Sequence, residues 1–340
     1  MRILCTLVGA QAESTARAIE LGRILAGRGH QLTYLGSFSE AVTAELRSFN
    51  AQITGQITTE QHDLAVIAST AAPDRMAQIA RRLKSVVLVQ ESLLDLMSLK
   101  GDIAHWVGLF RAAGRIVFFT RRQQDKVFAP FVSGIDPGRM SVIPCGASQA
   151  AFAPRERIDK DHFSIATSGA VVQYRRQQDL IAAGERLRDF SLVFTLIGDT
   201  AQAATLGEST MKVIERHPAR YIMAGARTGA DALMLLRQQD MYVHTAADEA
   251  WSQAVIDSAA AATPLILSDI EAFSEPWVHG INCLKFPINR PDFLASTIRM
   301  VLQDDALRVS LAQAAQATAR RYSAERYFES VVRMIEGAGA

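Results

Sequence analysis

His244-Thr245-Ala246-Ala247-Asp248-Glu249-Ala250-Trp251-Ser252-Gln253-Ala254-Val255-Ile256-Asp257-Ser258-Ala259 passes from an apolar run through an acidic loop into a helix-compatible stretch. A strand ends at His244, and Ser252 has the side chain of an N-cap for the helix that runs onward. That is one strand-to-helix unit, and the rest of the chain repeats it. Short apolar runs alternate with longer amphipathic stretches, the pattern of βα units around parallel sheets.

In the first half the runs are Ile3–Val8, Gln31–Leu35, Leu64–Ala68, Val86–Val89, Ile116–Phe119 and Met140–Ile143, with helical intervals such as Ala12–Ala26 and Ala77–Leu83. In the second they are Phe163–Ala166, Leu192–Ile197, Tyr221–Ala224, Met241–His244, Pro264–Leu267 and Cys283–Phe286. The charged, non-periodic segment Ala153–Asp161 separates the two sets and reads as a linker. Three parts are expected: a first doubly wound domain over 1–160, a second over 161–322, and a terminal amphipathic helix over 323–340. That helix, with Tyr327, Phe328, Val331, Val332 and Ile335 at helical spacing, needs a partner surface that the first domain can supply.

The length of 340 residues agrees with two domains of about 150 residues each and one cleft between them. A hydrophobic fraction of 49% and a charged fraction of 21% are those of a globular chain. A net charge of +1 removes the general phosphate attraction on which nucleic-acid binders rely, so no nucleic-acid partner is expected. The cysteines Cys5, Cys145 and Cys283 lack metal-ligand spacing and read as buried thiols. No run approaches the roughly 18 apolar residues of a membrane span, and the N-terminus lacks a signal-peptide layout. A cytoplasmic location is expected, and peripheral contact with a membrane stays open.

In an open α/β sheet, ligands gather beyond the carboxyl ends of the strands, where the first N–H groups of a helix point at a bound anion. A diphosphate suits the turn at Ser252. Glu249 and Asp257 then supply carboxylates that accept hydrogen bonds from hydroxyls. Taken alone, both acids read as ordinary solvated residues.

This stretch, with Ala262–Asp269 and His279–Leu284, resembles glycosyltransferase family 4, retaining enzymes of the GT-B fold. Further likeness lies in Arg28-Gly29-His30, in Val142-Ile143-Pro144-Cys145-Gly146 with Phe152 and Pro154, and in Asp240-Met241-Tyr242-Val243. The resemblance implies two Rossmann-like, doubly wound α/β domains facing across a cleft, with a C-terminal helix crossing back to the first. It also implies a retaining, metal-independent transfer of a sugar from a nucleotide-diphosphate sugar to an acceptor hydroxyl. The donor is a substrate and no cofactor is implied; UDP-sugars are the commonest donors of the family. The acceptor is a small molecule or a glycan.

Site residues follow from the same resemblance. Glu249 corresponds to the family's donor-sugar Glu, and Asp257, after seven intervening residues, to its ribose-binding Glu, one methylene shorter here. Trp251, Ser252, Gln253 and Ala254 open the helix against the donor. After Ser168, Gly169 begins the diphosphate loop; Arg176 falls where the family has Lys, and Arg175 stands in for an absent earlier Arg. Gly225 and Arg227 belong to the turn that reads the base. Gly9 in the first loop lets backbone approach the donor, and Gln90 and Glu91 line the acceptor side.

His30 reads as structural, and His105 beside Trp106 as packing. Asp159-Lys160-Asp161 reads as solvated linker charge, and no metal site is evident. The first loop is unlike a dinucleotide-binding turn, which argues against a nicotinamide enzyme. The departures (no paired glycines, no first Arg, Asp257 for Glu, Ala262 for Gly) leave a second reading open, a nucleotide-sugar-binding protein of this fold that has lost transfer activity.

Overall fold

Parallel strands form where both faces of a short run are apolar, because helices then cover the sheet on both sides. The computed structural model describes residues 1–7, 12–57, 59–68, 72–89, 103–153, 160–227 and 229–339. They fall into two units, Met1–Pro144 with Glu325–Ala340, and Cys145–Ala324.

The first unit holds β1 (Arg2–Thr6), β2 (Gln31–Leu35), β3 (Gln52–Thr54), β4 (Leu64–Ile67), β5 (Lys84–Leu88), β6 (Arg115–Phe118) and β7 (Met140–Val142). They pair in parallel in the order β3-β2-β1-β4-β5-β6-β7. Its helices include α1 (Ala12–Gly27), α2 (Glu40–Ser48), α3 (Pro73–Arg82), α4 (Ile103–Ala112) and the single turn α5 (Ala129–Val132). Trp106, Phe110, Phe118 and Phe128 fill one core between sheet and helices. Strand β3 escapes the periodicity reading because it is three residues long, partly exposed and at the sheet edge.

The second unit holds β8 (Phe163–Ser168), β9 (Leu192–Ile197), β10 (Tyr221–Gly225), β11 (Met241–His244), β12 (Leu265–Ser268) and β13 (Leu284–Phe286), all parallel, in the order β10-β9-β8-β11-β12-β13. Its helices include α6 (Gln177–Gly184), α7 (Glu208–Arg216), α8 (Gly229–Arg237), α9 (Gln253–Ala260), α10 (Pro291–Gln303) and α11 (Asp305–Ala319). Strand alternation divides its core in two. Met241, Val243 and Ile266 join one cluster, and Tyr242, Leu265 and Leu267 the other, where Val255, Ile256 and Ala259 of α9 meet Ala315 and Ala319 of α11.

The terminal helix α12 (Ala324–Gly339) buries Tyr327, Val331, Val332 and Ile335. It is tied to the first unit by Glu336, which His30 and Arg28 contact at 3.1 and 3.3 Å, and by the Tyr327 ring against Phe119. His30 thus has the structural place expected of it. His105 does not pack: half-exposed, it faces Asp74 at 3.1 Å, while its neighbour Trp106 enters the core. Lys160 is not solvated either, because its ammonium donates to the Gln238 carbonyl at 2.6 Å and to Ser164 Oγ at 2.7 Å, and faces Asp240. Asp161 is exposed as expected, and linker residues 154–159 lie outside the described residues. No helix among those described is long and apolar enough to cross a membrane.

Ala262, where the related family has glycine, turns the chain from α9 toward β12 with φ +54°. A Cβ is disfavoured in this left-handed conformation by about 1 kcal/mol. Ala262→Gly relieves that strain, and the greater freedom of the unfolded chain offsets part of it. A net gain of about 0.5 kcal/mol is expected, read as a higher urea midpoint at unchanged slope; a lower midpoint would show that the Ala methyl packs usefully.

Candidate functional site

In the second unit the chain leaves β8 toward β9 and β10, and β11 toward β12 and β13, so β8 and β11 flank the point where strand order reverses. Loops beyond the carboxyl ends of such a pair form the ligand crevice of an open sheet. The loop after β8 carries Gly169, Arg175 and Arg176, and the loop after β11 carries Glu249 and leads into α9.

Three glycines let the strand ends on one side interlock. Gly169 N–H donates to the Ile197 carbonyl and Gly198 N–H to the Gly225 carbonyl, each at 2.9 Å. A Cβ on Gly198 would stand 1.9 Å from the Gly169 carbonyl oxygen. Gly169 and Gly225 have φ of +127° and +72°, conformations that glycine adopts without a steric penalty. Beyond a bulge between Met223 and Gly225, the β10 turn leads to exposed Arg227.

On the other side the two loops are stitched together. Arg175 Nη1 donates to Glu249 Oε2 in a short, largely buried ion pair whose side chains are 11% and 7% exposed. Thr245 Oγ1 donates to the Arg175 carbonyl at 2.7 Å, and Ala247 N–H to the Tyr174 carbonyl at 2.9 Å. Glu249 Oε2 also lies 3.1 Å from His244 Nε2, and Oε1 accepts from Ala250 N–H at 3.1 Å. Burial alone would raise the Glu249 carboxyl, but the Arg175 charge and the His244 and Arg175 hydrogen bonds outweigh it and hold the group at about 2. Burial lowers the His244 imidazole below its ordinary value, against the pull of Glu249.

The carboxylate therefore meets three protein groups, and its first role in this geometry is to anchor Arg175. Arg176 is the left-handed N-cap of α6, φ +56°, and its guanidinium forks onto buried Asp179 at 2.8 and 2.9 Å. Gln177 braces the loop by donating to the Ala170 carbonyl at 3.0 Å.

At the start of α9, Ser252 is the N-cap expected from the sequence, its Oγ accepting from Val255 N–H at 3.4 Å. Gln253 Nε2 donates to the Gly146 carbonyl at 3.1 Å and to Asp257 Oδ1 at 3.0 Å. Ala254 is half-buried in the first turn, and Trp251 leans on the Tyr322 ring, centroids 5.5 Å apart. Gly146 admits no side chain, because its Cβ would lie 2.2 Å from the Tyr322 carbonyl carbon.

Gly169, Arg175 and Glu249 are thus brought together, Gln253 and Asp257 form a second group on α9, and Gly225 and Arg227 sit at the end of β10. Gly9, Gln90 and Glu91 lie outside the described residues. Buried Gln123 ties the ends of β5 and β6 together, accepting from Phe119 N–H at 2.7 Å and donating to the Val89 carbonyl at 3.2 Å. Among the described residues no three His, Cys, Asp or Glu side chains converge as metal ligands. His244 and Tyr242 did not figure among the sequence candidates. Their signal was present as Tyr-x-His at a strand end, two residues on one face and five positions before the acid.

Comparison with known proteins agrees with this architecture. The sequence profile of Glycosyl transferases group 1 matches residues 148–318, half of the chain, including Gly169, Arg175, Glu249 and Asp257. A D-inositol 3-phosphate glycosyltransferase of Jonesia denitrificans is 23% identical over 207 residues, 55% of this chain and 49% of that protein. The chain therefore matches over about half the length of this curated relative. Among solved structures, Anabaena HepE in complex with UDP and glucose superposes with a TM-score of 0.82 at 16% identity, covering 99% of this chain and 100% of that one. Sucrose-phosphate synthase from Thermosynechococcus elongatus gives 0.74 at 13% identity, covering 99% and 98%. At these identities the likeness is one of fold, the GT-B fold of glycosyltransferases. With the profile spanning both site loops and α9, the chain belongs to the group 1 glycosyl transferases.

Proposed function

We propose that this glycosyltransferase takes a sugar from a nucleoside-diphosphate sugar and joins it to an acceptor hydroxyl with retention at the anomeric carbon and without a metal ion. The observation that carries the reading is half-buried Arg175, fixed by buried Glu249 at the strand-order reversal of the second unit. A guanidinium held there stabilises the negative charge that develops on a departing diphosphate, and it needs no reorganisation at that moment. The first N–H groups of α9 and, once it leaves Asp179, Arg176 add to it. The acceptor hydroxyl is the nucleophile, so no covalent protein residue is required. UDP-sugars are the first donors to try, since the HepE relative holds UDP and glucose. The acceptor, a small molecule or a glycan, engages the first unit, where Gln90 and Glu91 are the sequence candidates.

The test is release of nucleoside diphosphate from a panel of UDP-, GDP- and ADP-sugars, with and without acceptors and with and without a chelator. Release that survives chelation supports the reading; release abolished by chelation and restored by magnesium refutes the metal-free mechanism. Asp257 gives a second check. If its carboxylate accepts ribose hydroxyls, Asp257→Asn weakens charge-assisted bonds worth about 1–2 kcal/mol. Ribose is remote from the breaking bond, so KM for the donor should rise roughly 5- to 30-fold while kcat holds. An unchanged KM would leave Asp257 with a structural role on α9, where Gln253 donates to it.

A further inference from the structure

Two aromatic side chains stand behind the ion pair that the proposed function uses. Tyr242 and His244 point to the same face of β11, are fully buried, and stack with ring centroids 6.1 Å apart. Tyr242 Oη lies 3.2 Å from His244 Nδ1, and His244 Nε2 lies 3.1 Å from Glu249 Oε2. Phe273 closes the outer side of the imidazole edge-on at 5.2 Å.

The chemistry of the partners fixes the protons. An ionised Glu249 only accepts, so Nε2 carries the hydrogen; Nδ1 is then an acceptor, and the Tyr242 hydroxyl donates to it. Glu249 Oε2 consequently receives two donors, Arg175 Nη1 and His244 Nε2–H, which hold it from different sides. Without His244 the carboxylate keeps Arg175 on Oε2 and the Ala250 N–H on Oε1, but Oε2 loses the second donor that sets the direction of the guanidinium, and Arg175 gains freedom to swing about it.

Resting on the proposed donor site, we propose that His244, oriented by the Tyr242 hydroxyl, is a positioning residue for the donor diphosphate: it fixes the Glu249 carboxylate and through it the direction in which Arg175 presents its N–H groups. His244 touches no substrate in this scheme. Its effect is confined to the diphosphate, because base and ribose meet other residues.

The experiment is calorimetric titration of the full chain with UDP, GDP and ADP and with their nucleosides. In His244→Leu the affinity for the preferred diphosphate should fall about 10- to 100-fold while the nucleoside affinity stays within about 2-fold. His244→Gln, whose amide nitrogen reaches close to the position of Nε2, should recover most of the loss. Tyr242→Phe, which removes one oxygen atom, should lie between. If His244→Leu does not fold, Tyr242→Phe and His244→Gln decide by the same diphosphate-to-nucleoside ratio. Parallel losses for diphosphate and nucleoside, or an unchanged diphosphate affinity in a folded variant, overturn the positioning role. A wild-type chain that binds none of the three diphosphates refutes the donor-site reading itself, an outcome separate from either.

Discussion

Glu249→Ala should destabilise the second unit by about 3–5 kcal/mol, because it leaves the Arg175 guanidinium buried without its counter-charge. The loss is mostly the penalty of the orphaned cation and not the net worth of the pair. Glu249→Ala combined with Arg175→Met should therefore recover much of the stability while donor binding stays lost, a non-additivity that a double-mutant cycle measures. Additive losses would mean that the two side chains do not act as a pair. The same pair makes the fold sensitive to acid. With its folded carboxyl at about 2 against an ordinary 4.5, Glu249 contributes on the order of 3 kcal/mol above pH 4.5, and this is lost as pH falls toward 2. His244 acts in the same direction. Its lowered folded value means that the unfolded chain takes up a proton first as pH falls below about 6.5, so stability declines from there. Melting temperatures should hold from pH 8 to about 6.5, fall below it in the wild type, and fall more shallowly below pH 5 in Glu249→Gln.

Gly198→Ala should be nearly as damaging for a different reason. The new Cβ would meet the Gly169 carbonyl oxygen at 1.9 Å and the Ala170 nitrogen at 3.1 Å, both backbone atoms that cannot swing aside. The loop that carries Arg175 must move, so a loss above about 2 kcal/mol is expected together with loss of nucleotide binding. Gly225→Ala separates space from conformation: nothing lies within 4 Å of its Cβ, but φ is +72°. Only the left-handed strain of about 1 kcal/mol should appear there. Urea unfolding of both variants checks the order, and equal losses would contradict it.

The sheets and most helices were legible because both cores are built from short continuous apolar strands and amphipathic helices, signals that are local in sequence. Ser252 as an N-cap and the buried cysteines were legible for the same reason. What resisted reading was pairing across the fold. Glu249 is recognisable as an acid before a helix, but that its carboxylate meets Arg175, 74 residues earlier, depends on β8 and β11 being neighbours in the sheet. Arg176 holds the position of the family's Lys in the sequence, and only the fold shows that the left-handed turn at its own Cα aims it at Asp179. Lys160 looked solvated because its partners, Gln238 and Asp240, lie about one domain-half away in sequence.

The buried thiols have a use as clocks. Cys5 lies in the first unit and Cys145 and Cys283 in the second, each at most 6% exposed. Burial pushes the Cys5 and Cys283 thiols up to about 12, so neither offers a thiolate at neutral pH while its unit is closed. Alkylation of a given cysteine therefore times the opening of the unit that houses it. With mass spectrometry assigning each modified peptide, one native chain, without labels or substitutions, reports two separate opening rates under identical conditions.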